Sequence, residues 1–224
     1  MKAGGIIVAA GSSTRMGGLD KLLQTAAGRP VVAHSIARFA AHPRIDRLVV
    51  VASEANIEAV RVLAGEFPGT KVVLGGPRRR DSVLRGLEAL GECDFVVVHD
   101  GARPMVTAEL IDAAIGGAME AGAALCAIPV SDTVKRGDPE GTVLETLARE
   151  GLWLAQTPQA FRAELLRRAH AATDVDVTDD ATLIEMLGAP VKLVAGSREN
   201  VKITTPDDLR LVEALLAARG YTAL

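Results

Sequence analysis

The chain has 224 residues, 49% of them apolar and 24% charged, which suits one large globular domain. A net charge of -3 gives no global field to hold polymeric nucleic acid, which needs many Lys and Arg contacts to phosphates, so phosphate recognition has to be local. There is no CxxC pair (the two cysteines are Cys93 and Cys126), no basic leader ahead of a cleavable apolar stretch, and no run approaching the ~18 apolar residues of a membrane span; a soluble cytoplasmic protein is expected, with no membrane and no nucleic acid polymer among its partners.

Short β-branched runs alternate with longer amphipathic stretches along the chain. Strands are predicted at 4–10, 47–53, 71–76, 94–100, 123–130 and 191–196, all continuous enough to be buried on both faces of a mostly parallel sheet. Helices are predicted at about 30–41, 54–66, 78–90, 107–121, 161–171 and 179–188. A last helix at 206–219 opens on Pro206, Asp207 and Asp208, with proline in the first turn and acids at the positive end of the helix dipole. This alternation predicts an α/β fold, a three-layer, doubly wound, mostly parallel sheet. The stretch 131–161 breaks the rhythm with strand-like pieces around Gly137-Asp138-Pro139-Glu140-Gly141. It reads as a projecting β-arm at about 131–157 on a single domain spanning 1–224. Its Val143, Leu144, Leu147, Leu152 and Trp153 would be poorly buried alone, so a partner subunit is expected to cover them.

The first strand ends in Ala9-Ala10-Gly11-Ser12-Ser13-Thr14-Arg15-Met16-Gly17-Gly18-Leu19-Asp20-Lys21. A small, glycine-rich loop at the carboxyl end of strand one lets backbone N–H groups approach phosphates, while Arg15 and Lys21 add charge. The loop is neither the P-loop GxxxxGK[ST] nor the dinucleotide GxGxxG. His34, His42 and His170 fall on helical stretches away from the loops and are assigned to structure. No Ser/His/Asp set and no nucleophilic cysteine stands out.

Beyond the loop lie Gly75-Gly76 with Asp81-Ser82-Val83, then Val98-His99-Asp100-Gly101-Ala102-Arg103-Pro104 and Pro129-Val130-Ser131-Asp132-Thr133-Val134-Lys135. Leu152-Trp153 follow with Gln156-Thr157-Pro158-Gln159, then Thr178-Asp179-Asp180 and Asn200-Val201-Lys202-Ile203-Thr204. In that order, over nearly the full length, these motifs resemble the methylerythritol phosphate cytidylyltransferase family, and the ordered set is far more specific than any one of its members. The resemblance implies transfer of CMP from CTP to a small sugar-alcohol phosphate with release of pyrophosphate. Ribitol 5-phosphate cytidylyltransferases look much alike in their loops and arm.

Attack by an already ionised phosphate on the α-phosphorus of CTP needs positive charge and alignment more than a general base. By resemblance, Arg15 and Lys21 hold the triphosphate, with Arg149 and Lys202 counted beside them as catalytic. The resemblance puts Ala9, Ala10, Gly11, Gly76 and Ser82 around the nucleotide, and Arg103, Thr133 and Thr157 among the substrate-binding residues. Mg²⁺ is the expected cofactor, held mainly by CTP phosphates, with Asp100 the nearest carboxylate. In the family the arm crosses a two-fold axis, so Thr133 and Arg149 are expected to serve the neighbour's site in a homodimer. The family often has an acid where this chain has Pro77, which cannot donate a backbone N–H.

Overall fold

The computed structural model describes residues 2–11 and 20–220. In chain order the elements are β1 (Ala3–Ala9), β2 (Thr25–Ala26), β3 (Arg29–Pro30), α1 (Val31–Ala40), β4 (Ile45–Ala52), α2 (Ile57–Gly65) and β5 (Thr70–Leu74). Then come α3 (Arg79–Leu90), β6 (Phe95–Asp100), α4 (Ala108–Ala121), β7 (Ala123–Pro129), β8 (Val134–Gly137), β9 (Val143–Leu147) and β10 (Trp153–Arg162). The chain continues through α5 (Ala163–Ala172), α6 (Asp180–Met186), β11 (Lys192–Ala195) and α7 (Pro206–Ala218).

Seven strands form one sheet in the order β11-β7-β10-β6-β1-β4-β5. All neighbours are parallel except β10, which is antiparallel to both β6 and β7. The continuous apolar runs are explained by helices on both faces. Ile7, Val50 and Val97 face one core, where they meet Ile36 and Phe39 of α1, Val60 of α2, Ile111 and Ile115 of α4 and Val212 of α7. Their neighbours Ile6, Val49, Val51 and Val96 face the other core, with Val83 and Leu87 of α3, Leu166 of α5 and Leu183 of α6. The alternation of side chains across the pleat thus builds two cores on one sheet. Gly86 lets α3 approach closely, since a Cβ there would sit 2.8 Å from Ile6 Cγ2. The last helix starts as its sequence predicts: Thr205 caps it by accepting from the Asp208 N–H, and Asp208 reaches back to the Thr205 N–H.

From β1 the chain winds outward through β4 to β5, then α3 crosses the opposite face to β6 on the other side of β1. The carboxyl ends of β1 and β6 therefore diverge into different loops, the place where open α/β sheets bind ligands.

Within 131–157 only part of the segment leaves the main sheet. β8 and β9 pair antiparallel as a separate two-stranded sheet, whereas Trp153, Leu154 and Ala155 already pair with Pro129, Ile128 and Ala127 in the main sheet. Gln156, Thr157 and Gln159 are buried there; side-chain hydrogen bonds satisfy these polar groups in a central strand, which is why their sequence does not resemble a buried run.

Candidate functional site

A cleft of about 610 Å³ opens above the carboxyl ends of β1 and β6, and Ala10, Gly11, Lys21, Gly76, Asp100 and Lys202 all line it. Pro77, Arg78, Arg79 and Ser82 form the wall supplied by the start of α3, and Asp176, Val177 and Thr178 close the far side. That far wall is held by arginines at the head of α3: Arg78, just before the helix, donates from Nη2 to Asp174 Oδ1 (2.6 Å), and Arg80 from Nη1 to the Val175 carbonyl (3.1 Å).

Asp100 is the carboxylate at the floor, 8% exposed. Lys202 Nζ lies 2.8 Å from its Oδ2, Arg79 Nη2 3.5 Å from its Oδ1, and Arg103 Nε 3.8 Å from its Oδ2. Burial alone would push its carboxyl up, but Arg79, Lys202 and Arg103 together hold it well below the usual carboxylate range. Arg79 is itself anchored from behind, since its Nη1 donates to Asp180 Oδ2 at 2.7 Å and Asp180 is fully buried. Burial pulls the Arg79 guanidinium down and the two aspartates more than offset it, so it stays charged.

The loops are fixed by polar groups that carry no signature of their own. Asn56 is buried, and its Nδ2 donates both to the Ala9 carbonyl (3.0 Å) and to Asp20 Oδ2 (2.7 Å). It ties the end of β1 to the residue before Lys21. Gly75 lets the start of α3 meet the end of β1, because a Cβ there would sit 2.5 Å from Ala10 Cβ and 2.8 Å from Ser82 Oγ. Ser82 Oγ accepts from the Gly76 N–H at 3.1 Å and lies 3.2 Å from the Arg78 carbonyl, so its hydroxyl shapes the turn as well as lining the cleft.

Residues 4–218 match the family model described as "IspD: 2-C-methyl-D-erythritol 4-phosphate cytidylyltransferase". The chain belongs to this family. A protein of that name from Dehalococcoides mccartyi is 45% identical over 218 residues, covering 96% of each chain. One from Bacillus velezensis is 44% identical over 224 residues with the same coverage. Among solved structures, the 4-diphosphocytidyl-2C-methyl-D-erythritol synthase of Anaerococcus prevotii superposes with a TM-score of 0.84 at 30% identity, covering 96% of this chain and 98% of that one. The 2-C-methyl-D-erythritol 4-phosphate cytidylyltransferase of Thermus thermophilus gives 0.81 at 33%, covering 95% and 98%.

Of the residues that the family resemblance singled out, the cleft gathers Ala10, Gly11, Lys21, Gly76, Ser82, Asp100 and Lys202. Arg103 lies beneath Asp100 with its Nη1 donating to the Asn200 carbonyl (2.7 Å). Ala9 is fully buried, contributing its carbonyl to Asn56. Thr157 is buried too, and its hydroxyl is taken up by His99 and by the Asp100 N–H rather than presented to a ligand. Thr133 and Arg149 are exposed and do not line the cleft of their own chain; Arg149 Nη1 donates to the Ser131 carbonyl. Arg15 lies outside the described residues. Arg79, Asn56, His99 and Asn200 were not foreseen as site residues. The run Arg78-Arg79-Arg80 at a predicted helix start was the one available signal for Arg79, because cations next to a helix's positive end oppose its dipole and need an acid from elsewhere.

Among the described residues no three His, Cys, Asp or Glu side chains are grouped as a metal-ligand set. One buried carboxylate beside a cationic cleft fits Mg²⁺ carried mainly on phosphate oxygens, and does not fit a cage built by protein alone.

Proposed function

We propose that this chain transfers the cytidylyl group of CTP to 2-C-methyl-D-erythritol 4-phosphate, releasing pyrophosphate, in non-mevalonate isoprenoid precursor synthesis. The observation that carries this is the cationic cleft around Asp100 at the switch point, in a chain 45% identical end to end to a relative of that name. The acceptor's phosphate oxygen forms a bond to the α-phosphorus while the bond from that phosphorus to the bridging oxygen breaks, and the electron pair leaves on pyrophosphate. A phosphate monoester is largely dianionic at pH 7, its second pKa being about 6, so no protein base is required. The cysteines offer no competing nucleophile: burial pushes the Cys126 thiol up to about 12 and raises that of Cys93.

Lys21 and Arg15 neutralise the triphosphate from the loop side, while Lys202, at the floor beside Asp100, receives the acceptor phosphate with Arg103 behind it. Lys202 is held by Asp100 in the free protein, and an incoming dianion competes for it. Asp100 and the CTP phosphates would hold Mg²⁺, which would supply further neutralisation of charge on the triphosphate.

The arm supports a homodimer. Val143 is 58% exposed and Leu144 57% exposed on a hairpin packed against little of its own chain, with Trp153 exposed at its base; such ribbons are marginal in water alone. Thr133 and Arg149 then serve the neighbouring protomer's cleft. Two free thiols suit the reducing cytoplasm, and no helix among the described residues is long and apolar enough to cross a membrane.

Pyrophosphate release from CTP with Mg²⁺ tests the function, comparing 2-C-methyl-D-erythritol 4-phosphate, D-ribitol 5-phosphate and no acceptor, with ATP, GTP and UTP as controls and EDTA as the metal-free arm. Release confined to CTP and the branched acceptor is expected, and preference for ribitol phosphate overturns the acceptor assignment. Mixing Arg15→Ala and Arg149→Ala chains tests the shared site: activity returns to some sites if the arm acts across subunits. No recovery despite demonstrated subunit exchange overturns it.

A further inference from the structure

His99 sits at the end of β6, fully buried, with its ring centroid 5.2 Å from that of Phe39. Its Nε2 is 3.1 Å from the Arg103 carbonyl and its Nδ1 is 3.0 Å from Thr157 Oγ1. A carbonyl can only accept, so Nε2 carries the proton and Nδ1 of the neutral ring accepts. The Thr157 hydroxyl must then donate to Nδ1, and its oxygen accepts from the Asp100 N–H at 3.0 Å. Two further bonds close a circuit: Arg103 Nη1 donates to the Asn200 carbonyl (2.7 Å) and Asn200 Nδ2 donates to the Thr157 carbonyl (2.8 Å). Residue by residue the bonds run from His99 to Arg103 to Asn200 to Thr157 and back to His99, and along the stretch from the Asp100 N–H through the Thr157 hydroxyl and the His99 ring to the Arg103 carbonyl each group polarises the next.

From this circuit we infer that His99 is a positioning residue for cytidylyl transfer, fixing the Asp100–Arg103 turn and the Asn200–Lys202 segment relative to β10 without touching substrate. The three segments it joins arrive from distant parts of the chain, and two of them bring charge to the floor: Asp100 and Arg103 from one and Lys202 from another, with Thr157 of β10 as the shared post. A ring that can only point one way leaves those groups a single arrangement. The inference rests on the assignment of Arg103 and Lys202 to the acceptor phosphate.

His99→Phe keeps a flat ring beside Phe39 and removes both bonds, although the Arg103 carbonyl retains a 3.3 Å contact from Ser35 Oγ. Thr157→Val removes the hydroxyl at constant shape. Each is expected to lower kcat/KM for 2-C-methyl-D-erythritol 4-phosphate by about 10- to 100-fold, the scale of a ~1 Å misplacement near a reacting centre. CTP affinity by calorimetry is expected to change by less than about threefold. The double variant should lose no more than either single one, because the circuit acts as a unit, and Thr157→Ser should recover most of the loss. A Tm lowered without any change in kcat/KM, assayed well below the melting range, means a structural role only and overturns the inference, as do additive losses in the double variant. If His99→Phe does not fold, the Thr157→Val and Thr157→Ser pair decides in the same way. Absence of transfer by the unaltered protein would strike the functional assignment instead, which separates the two failures.

Discussion

Acid should destabilise this protein well before its carboxylates titrate, because histidines are buried neutral. Burial lowers the His99 pKa from 6.5 to about 4 against the pull of the neighbouring Asp100, and burial also lowers those of His34 and His170. Above pH 6.5 the ring is neutral in both folded and unfolded chains and contributes no pH dependence. Between pH 6.5 and 4 the unfolded chain binds the proton and the folded one does not, so stability falls as pH falls. From pH 7 to pH 5 the His99 share of that fall is about 2 kcal/mol, at about 1.4 kcal/mol per unit inside the window. His34 and His170 act in the same direction. The Asp100 carboxyl, held low by its cations, contributes its own loss only below the ordinary aspartate range and does not enter this interval. Urea denaturation at pH 7, 6 and 5, without nucleotide or magnesium, measures the effect, and His99→Gln removes the titrating group. The unaltered protein should lose at least about 2 kcal/mol over that interval, and the variant should lose about 2 kcal/mol less. Equal pH dependence in the two proteins would refute the reasoning, as would an NMR titration placing the His99 ring near 6.5.

Arg79→Ala leaves fully buried Asp180 without its 2.7 Å partner and should cost about 3–5 kcal/mol, while Arg79→Ala with Asp180→Ala should cost less than the single change; chemical denaturation decides. Gly75→Ala would drive a Cβ to 2.5 Å from Ala10 Cβ, forcing β1 and α3 apart, and should weaken CTP binding by about tenfold or more with the circular dichroism spectrum unchanged. Ala27 has φ +47° in the tight turn between β2 and β3, followed by Gly28 at φ +78°. Ala27→Asn, which tolerates that region, should raise Tm by about 2 °C.

The elements were legible because burial on both faces demands unbroken β-branched runs, and α4, α6 and α7 carry their own side-chain caps in Thr107, Asp179 and Thr205. The predicted strands at 47–53 and 94–100 fall on β4 and β6, and the helix predicted at 206–219 falls on α7. The inner half of β10 was not legible as a sheet strand. Gln156 and Gln159 look like loop residues until Gln156 Nε2 is seen donating to the Ser197 carbonyl (2.9 Å) and Gln159 Nε2 to Asp179 Oδ2 (3.0 Å). In the cleft, the residues that line it could be given roles from their motifs, whereas His99 and Asn200 stood in motifs without a role and Asn56 stood in none. Asn56, His99 and Arg79 take their meaning from partners 36 to 101 residues away, distances over which local pattern carries no information.

The position of β10 also governs how the polypeptide can be assembled as it is made. Residues 95–98 of β6 and 123–129 of β7 meet only through β10, so until residue 162 has emerged both present unpaired N–H and C=O edges flanked by apolar side chains. Such edges invite pairing with other chains. A nascent chain halted before β10 would be prone to association; one late strand closes the gap in the middle of the sheet, and the outer edge of β7 waits for β11.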